Sequence, residues 1–123
     1  MLSIFRRSLE TGVVTTAYPD VPEAAPIAYR GQVVLELARC TGDGACATVC
    51  PSQAITLTVG DVGDWTWKLD DARCVFCGLC QDACPEQALR LSNEYELAVR
   101  HADDLITRVT FQPANGGCGP CNQ

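Results

Sequence analysis

Basic side chains are scarce in this sequence, with 9 lysines and arginines against 15 aspartates and glutamates, for a formal charge of −6. Nucleic acid is therefore an unsuitable ligand, because phosphate binding draws on basic side chains. Long apolar runs are missing too. No stretch approaches the roughly 20 apolar residues of a membrane span, so any membrane contact is expected to be peripheral or through partners. The opening residues, MLSIFRRSLETG, hold no apolar run of secretory length. Histidine occurs once, as His101, and a surface position suits it better than service as a metal ligand.

Cysteine, by contrast, is abundant: 9 of 123 residues. An odd number argues against a closed disulfide framework, and metal-bound thiolates in a cytoplasmic protein are the simpler reading. A chain of this length makes one domain with room for an arm at either end. So small a domain buries a modest fraction of its surface, and metal cross-links would matter to its stability.

The cysteines fall into patterns. Cys74-x2-Cys77-x2-Cys80-x3-Cys84-Pro85 has the bacterial ferredoxin spacing, in which three thiolates hold one [4Fe–4S] cube and the fourth crosses to another. Thiolates three apart in a tight loop can hold three iron corners, while Cys84 enters the next segment, its conformation limited by Pro85. Zinc has no need of the whole spacing. An earlier run reads Cys40-x2-Asp43-x2-Cys46-x3-Cys50-Pro51, with aspartate where the second cysteine belongs.

Exchanging the fourth cysteines assigns Cys40, Cys46 and Cys84 to cluster 1, with Asp43 at its remaining corner. Cluster 2 takes Cys74, Cys77, Cys80 and Cys50. Three outcomes are open at the Asp43 corner. The carboxylate binds the fourth iron in a more labile [4Fe–4S] cube, or the iron is missing and the cluster is [3Fe–4S], or water or another group fills the position. Oxygen is a harder donor than thiolate and holds iron less tightly. Lying between Gly42 and Gly44, Asp43 also suits a plain turn.

The two runs repeat one another. Cys50 and Cys84, Ala54 and Ala88, and Leu57 and Leu91 are each 34 positions apart, which suggests a pseudo-twofold domain. Between the halves, 55–59 (ITLTV) and 65–70 (WTWKLD) read as a hairpin turning on Gly and Asp, with Trp65 and Trp67 packed on one face. The expected class is an α+β, two-cluster ferredoxin-like fold spanning 33–99, with 32–38 (QVVLELA) as strand or short helix before Cys40.

Ahead of it, 1–32 reads as an amphipathic helix over 2–11 carrying Leu2, Phe5 and Leu9, then an extended arm spaced by Pro19, Pro22 and Pro26. Such an arm is expected to lie on a partner surface. Behind it, 100–123 is a C-terminal extension in which Asp103 or Asp104 can cap a helix carrying Leu105, Ile106 and Val109, although Thr107, Val109 and Thr110 disfavour helix. Cys118-Gly119-Pro120-Cys121 closes the chain. Three readings stand for it: half of a metal site completed from elsewhere, a catalytic dithiol, or a simple reactive pair.

From Arg73 to Val99 the stretch RCVFCGLCQDACPEQALRLSNEYELAV closely resembles the ferredoxin-like subunit of group 4 membrane-bound [NiFe] hydrogenases, including those of formate hydrogenlyase complexes. It is more distantly similar to subunit I of NADH–quinone oxidoreductase. The FRR-containing helix, the TTAYP step and Tyr29-Arg30-Gly31 extend the likeness toward the N-terminus. The resemblance implies an electron-transfer subunit with no catalytic site of its own. It implies two clusters relaying electrons between iron–sulfur subunits, one of them hydrogenase-like, in a peripheral arm on the cytoplasmic face of a membrane. The family has cysteine at the position of Asp43. Its formate hydrogenlyase members continue beyond the final Cys-x2-Cys, so Cys118 and Cys121 are expected to need a donor from elsewhere. The competing expectation is a free, diffusible low-potential ferredoxin.

Overall fold

The computed structural model describes residues 2–60 and 63–112. Cys118 and Cys121 lie outside the described residues, as does part of the turn expected in the central hairpin.

The first helix, α1, spans Leu2–Thr11. Gly12 stops it: at φ 61° its N–H closes on the Ser8 carbonyl at 3.1 Å, a left-handed residue just past a helix end. Its apolar stripe finds no cover among the described residues, leaving Ile4, Phe5 and Leu9 exposed. The β-prone run Val13–Thr16 that follows is not a strand, since it has no neighbouring strand to pair with.

The arm departs from expectation. Where a partner surface was expected beneath it, residues 18–32 are fastened to 92–96 of the same chain. Tyr18 Oη donates to Glu96 at 2.9 Å and Tyr95 Oη to the Glu23 carbonyl at 2.7 Å. Tyr29 meets Tyr95 edge-on with centroids 6.2 Å apart. Gly31 and Gln32 donate their N–H groups to the Ser92 and Glu94 carbonyls. Prolines removed periodicity from this stretch without removing its other means of attachment, which are tyrosines and backbone amides.

The domain proper is α+β and ferredoxin-like, with two small antiparallel sheets and few helices. In one sheet β1, Val33–Leu35, pairs with β4, Leu89–Leu91, setting Val33 against Leu91. The stretch expected as strand or helix is both, for a 3-10 turn, Leu37–Arg39, follows β1. The other sheet has the order β2-β3-β5: β2 is Ile55–Val59, β3 is Trp65–Asp70 and β5 is Ile106–Phe111. The hairpin β2–β3 falls on the residues read from the sequence.

β5 replaces the helix expected after Asp103. Only a short 3-10 turn, Ala102–Leu105, precedes it, and the β-branched Ile106, Thr107, Val109 and Thr110 lie in a strand that completes the sheet. Tertiary pairing with β3 supplied what a local pattern could not.

The core lies where the sheets and cysteine loops meet. Every second residue of β3 points inward, so Trp65, Trp67 and Leu69 are buried. Around Trp67 and Leu69 pack Val33, Ala54, Ile55, Cys80 and Leu89, with Cys46, Cys50 and Cys74 against the same cluster. The cysteine sulfurs and the hydrophobic core thus share one interior. Leu69, wholly buried, is its centre. Leu69→Ala should cost about 2–5 kcal/mol, read as a lower urea midpoint with little change in slope.

Candidate metal centre

Two loops carry seven cysteines, all of them free thiols. Each loop is made by the same backbone device. Gly42 and Phe76 have positive φ (77° and 50°), Gly44 and Gly78 follow in the left-handed region, and Gln53 and Gln87 repeat it further on (52° and 50°). Members of each pair are 34 positions apart. Gly44 and Gly78 open two short helices, α2 at Ala45–Thr48 and α3 at Leu79–Asp82. Glycine bears this geometry without strain, whereas Phe76 holds it in spite of its side chain.

Backbone amides are aimed at sulfur. Ala54 donates to Cys50 Sγ at 3.3 Å and Ala88 to Cys84 Sγ at 3.2 Å. Phe76 donates to Cys74 Sγ at 3.5 Å. Hydrogen bonds of this kind favour thiolate, the form that binds metal. Burial works against it, pushing the Cys46 and Cys80 thiols up to about 11. At Cys46 the Trp67 indole N–H opposes burial, while Asp43 and Cys40 reinforce it. That indole nitrogen is buried, faces no other acceptor and lies beyond ordinary hydrogen-bond reach of any partner among the described residues. Cys50 is the contrary case. Burial pushes it up, but the Ser52 hydroxyl and the amides of Ile55, Ala54 and Ser52 outweigh burial and leave it lowered.

Mutual electrostatic influence sorts the groups into two sets. Burial chiefly raises Cys40, and Cys84 and Asp43 add to the rise; Cys46 feels Asp43 and Cys40. Burial likewise raises Cys74, with Asp71, Cys50 and Cys77 contributing, and Cys80 feels Cys74, Cys77 and Cys50. One neighbourhood therefore holds 40, 43, 46 and 84, and the other 50, 74, 77 and 80. Among the described residues, no three His, Cys, Asp or Glu side chains converge as ligands of a single ion.

The exposed carboxylate of Asp43 accepts the Ala45 N–H at 3.4 Å, a turn bond that leaves its other oxygen uncommitted. His101 is exposed ahead of the second 3-10 turn. Three neighbours of the loops went unread in the sequence. Trp67 shows in the sequence only as part of an alternating hairpin face. The Arg30 guanidinium donates to the Cys77 carbonyl at 2.9 Å. Asp71, buried, accepts from Gln32 Nε2 at 2.9 Å. All three act across the fold, and no local spacing announces them.

A donor set of free thiols met by amide N–H groups fits an iron–sulfur centre. Comparison with known proteins agrees: residues 39–88 match the family model of the 4Fe-4S dicluster domain. Over 124 aligned positions the chain is 40% identical to formate hydrogenlyase subunit 6 of Escherichia coli (strain K12), covering all of this chain and 68% of that protein. It is 36% identical over 58 residues to NADH-quinone oxidoreductase subunit I of Sodalis glossinidius (strain morsitans), covering 43% of this chain and 32% of that one. Among solved structures, a chain of the membrane-bound sulfane sulfur reductase, an archaeal respiratory membrane complex, is similar with a TM-score of 0.58 and 28% identity. That match covers 80% of this chain and 53% of the other.

Thiol reactivity checks the electrostatics. In metal-free protein at pH 8, groups pushed up to about 11 are thiolate to only about one part in a thousand. Iodoacetamide should therefore label Cys50 well ahead of Cys46 and Cys80, as followed by peptide mass spectrometry. Raising the pH toward 11 should narrow the gap, because it is the thiolate that reacts.

Proposed function

The chain belongs to the family of formate hydrogenlyase subunit 6, and from that premise we propose that it relays single electrons through two iron–sulfur clusters within a membrane-associated hydrogenase-like or complex-I-like assembly. When bound, the clusters supply the one-electron chemistry that protein side chains lack. The observation that carries the reading is the sorting of these residues into two neighbourhoods, each taking one cysteine from the other loop.

Cys40, Cys46 and Cys84, with Asp43 at the fourth corner, hold cluster 1; Cys74, Cys77, Cys80 and Cys50 hold cluster 2. Positive-φ residues and sulfur-directed amides recurring at intervals of 34 support a pseudo-twofold origin for the two halves. The amides orient and stabilise the thiolates, and the shared core keeps water from the buried sulfurs. No group here is assigned catalysis; substrate chemistry belongs to other subunits.

The proposed organisation is an N-terminal helix and arm over 1–32, a ferredoxin core over 33–99 and a C-terminal extension over 100–123 that lends β5 to the core. Exposed Ile4, Phe5 and Leu9 on α1 suit burial against neighbouring subunits. Peripheral membrane placement on the cytoplasmic side follows the same reading, and no helix among the described residues is long and apolar enough to cross a membrane. A second reading, a freely diffusing ferredoxin, is favoured by the arm's attachment to 92–96. Cys118 and Cys121 are proposed as half of a metal site completed by another chain.

Iron and sulfide analysis of anaerobically purified protein should return two clusters, and zinc in their place would overturn the reading. Purification of a tagged chain from its host should bring other iron–sulfur subunits with it; a lone monomer would favour the diffusible carrier. Asp43→Cys should lower the [3Fe–4S] EPR signal of air-exposed protein severalfold, since thiolate holds the corner iron more tightly than oxygen does.

A further inference from the structure

The arm reaches the second cysteine loop itself. At its end, Arg30 donates to the carbonyl of Cys77 at 2.9 Å. Two residues on, the Gln32 side chain donates to Asp71 at 2.9 Å. Asp71 is buried, and its charge acts on Cys74. Between these contacts, the N–H of Gly31 bonds the Ser92 carbonyl at 2.8 Å and that of Gln32 bonds the Glu94 carbonyl at 3.2 Å. A Cβ on Gly31 would overlap the Glu94 carbonyl oxygen and come within 2.7 Å of that of Ser92. Residues 30–32 therefore have one register against the domain, and it delivers a cation to a cysteine loop.

That placement has an electrostatic consequence. Reduction adds negative charge to a site already dense in thiolates, in a chain of formal charge −6. A fixed cation nearby favours the reduced form. Among the described residues, ion pairs form between Arg6 and Glu10 and between Arg39 and Glu36, so no carboxylate there neutralises Arg30. Gln32 acts in the same sense by donating to the Asp71 carboxylate. Arg30 is exposed, and solvent screening limits the size of its effect.

We propose that Arg30 sets the reduction potential of the cluster held by Cys74, Cys77, Cys80 and Cys50, and that the register of Gly31 and Gln32 against 92–94 keeps its charge in place. This rests on the two-cluster reading above. The arm then serves as more than an attachment: a partner that shifts it alters the electron affinity of the nearer cluster.

The test is an EPR-monitored redox titration of the cluster-loaded full chain, with iron and sulfide measured on each sample. Cys77→Ser identifies the second cluster by displacing its transition. Arg30→Gln should reduce the ratio of reduced to oxidised second cluster, at its wild-type midpoint, by threefold to tenfold. Tenfold corresponds to 59 mV for a one-electron couple. The first cluster should titrate as before, and Arg30→Lys should keep most of the wild-type value. Gly31→Val, which retains the charge but unseats the arm, should follow Arg30→Gln. Equal second-cluster midpoints in wild type and Arg30→Gln, or equal shifts of both clusters, would overturn the role of Arg30. An unchanged midpoint in Gly31→Val would overturn the arm's part in it. Wild-type protein short of two clusters would instead remove the reading on which the proposal rests, and the sulfide content distinguishes that case.

Discussion

Sulfur placed inside a protein prefers its proton, and metal binding requires that the proton leave. The opposition between burial and ligation runs through this structure. Cys46 and Cys80 are pushed up to about 11 by their surroundings, while amides directed at Cys50 and Cys74 pull the other way. Folding alone leaves several thiols in their neutral form. A positively charged iron–sulfur cage would reverse that preference, and its insertion would then be coupled to the packing of the core. The core residues Trp67, Leu69 and Leu89 pack with the cysteines rather than apart from them, which ties hydrophobic burial to ligand geometry.

The rest of the molecule is arranged around those two loops. β1 pairs with β4 close to the second loop, and the sheet β2-β3-β5 presses its buried face on the first. The arm crosses the seam between 92–96 and the second loop before it becomes β1. Only α1 stands outside this scheme, with large apolar side chains exposed. A chain built as an isolated carrier gains little from such a helix. One fitted among other subunits can bury it, and its family relationship to formate hydrogenlyase subunit 6 is in keeping with that role.

Much of the candidate metal centre was legible in the sequence, because cluster ligation would impose spacing that simple counting detects. Cys74 to Cys84, the aspartate at position 43 and the interval of 34 are properties of order along the chain. The hairpin of β2 and β3 was legible for a similar reason: alternation along a strand is local. The helix at 2–11 likewise carried its own period and a glycine stop. Expectation failed where a residue's conformation depended on distant partners. Residues 106–111 had a weak helical pattern until β3 offered a strand to pair with, and the arm had no pattern at all until Tyr95 and the carbonyls of Ser92 and Glu94 received it.

By itself, then, the order of residues determined the kind of ligand, its spacing and the doubling of the cysteine run, since these follow from bond lengths and short loops. Tertiary structure alone decided which charges and donors meet those ligands. Arg30 reaches Cys77 across 47 positions, and Trp67 on β3 faces Cys46 of α2. Electrostatic and hydrogen-bond contributions depend on distance in space, and a linear sequence does not contain that distance until the chain has folded.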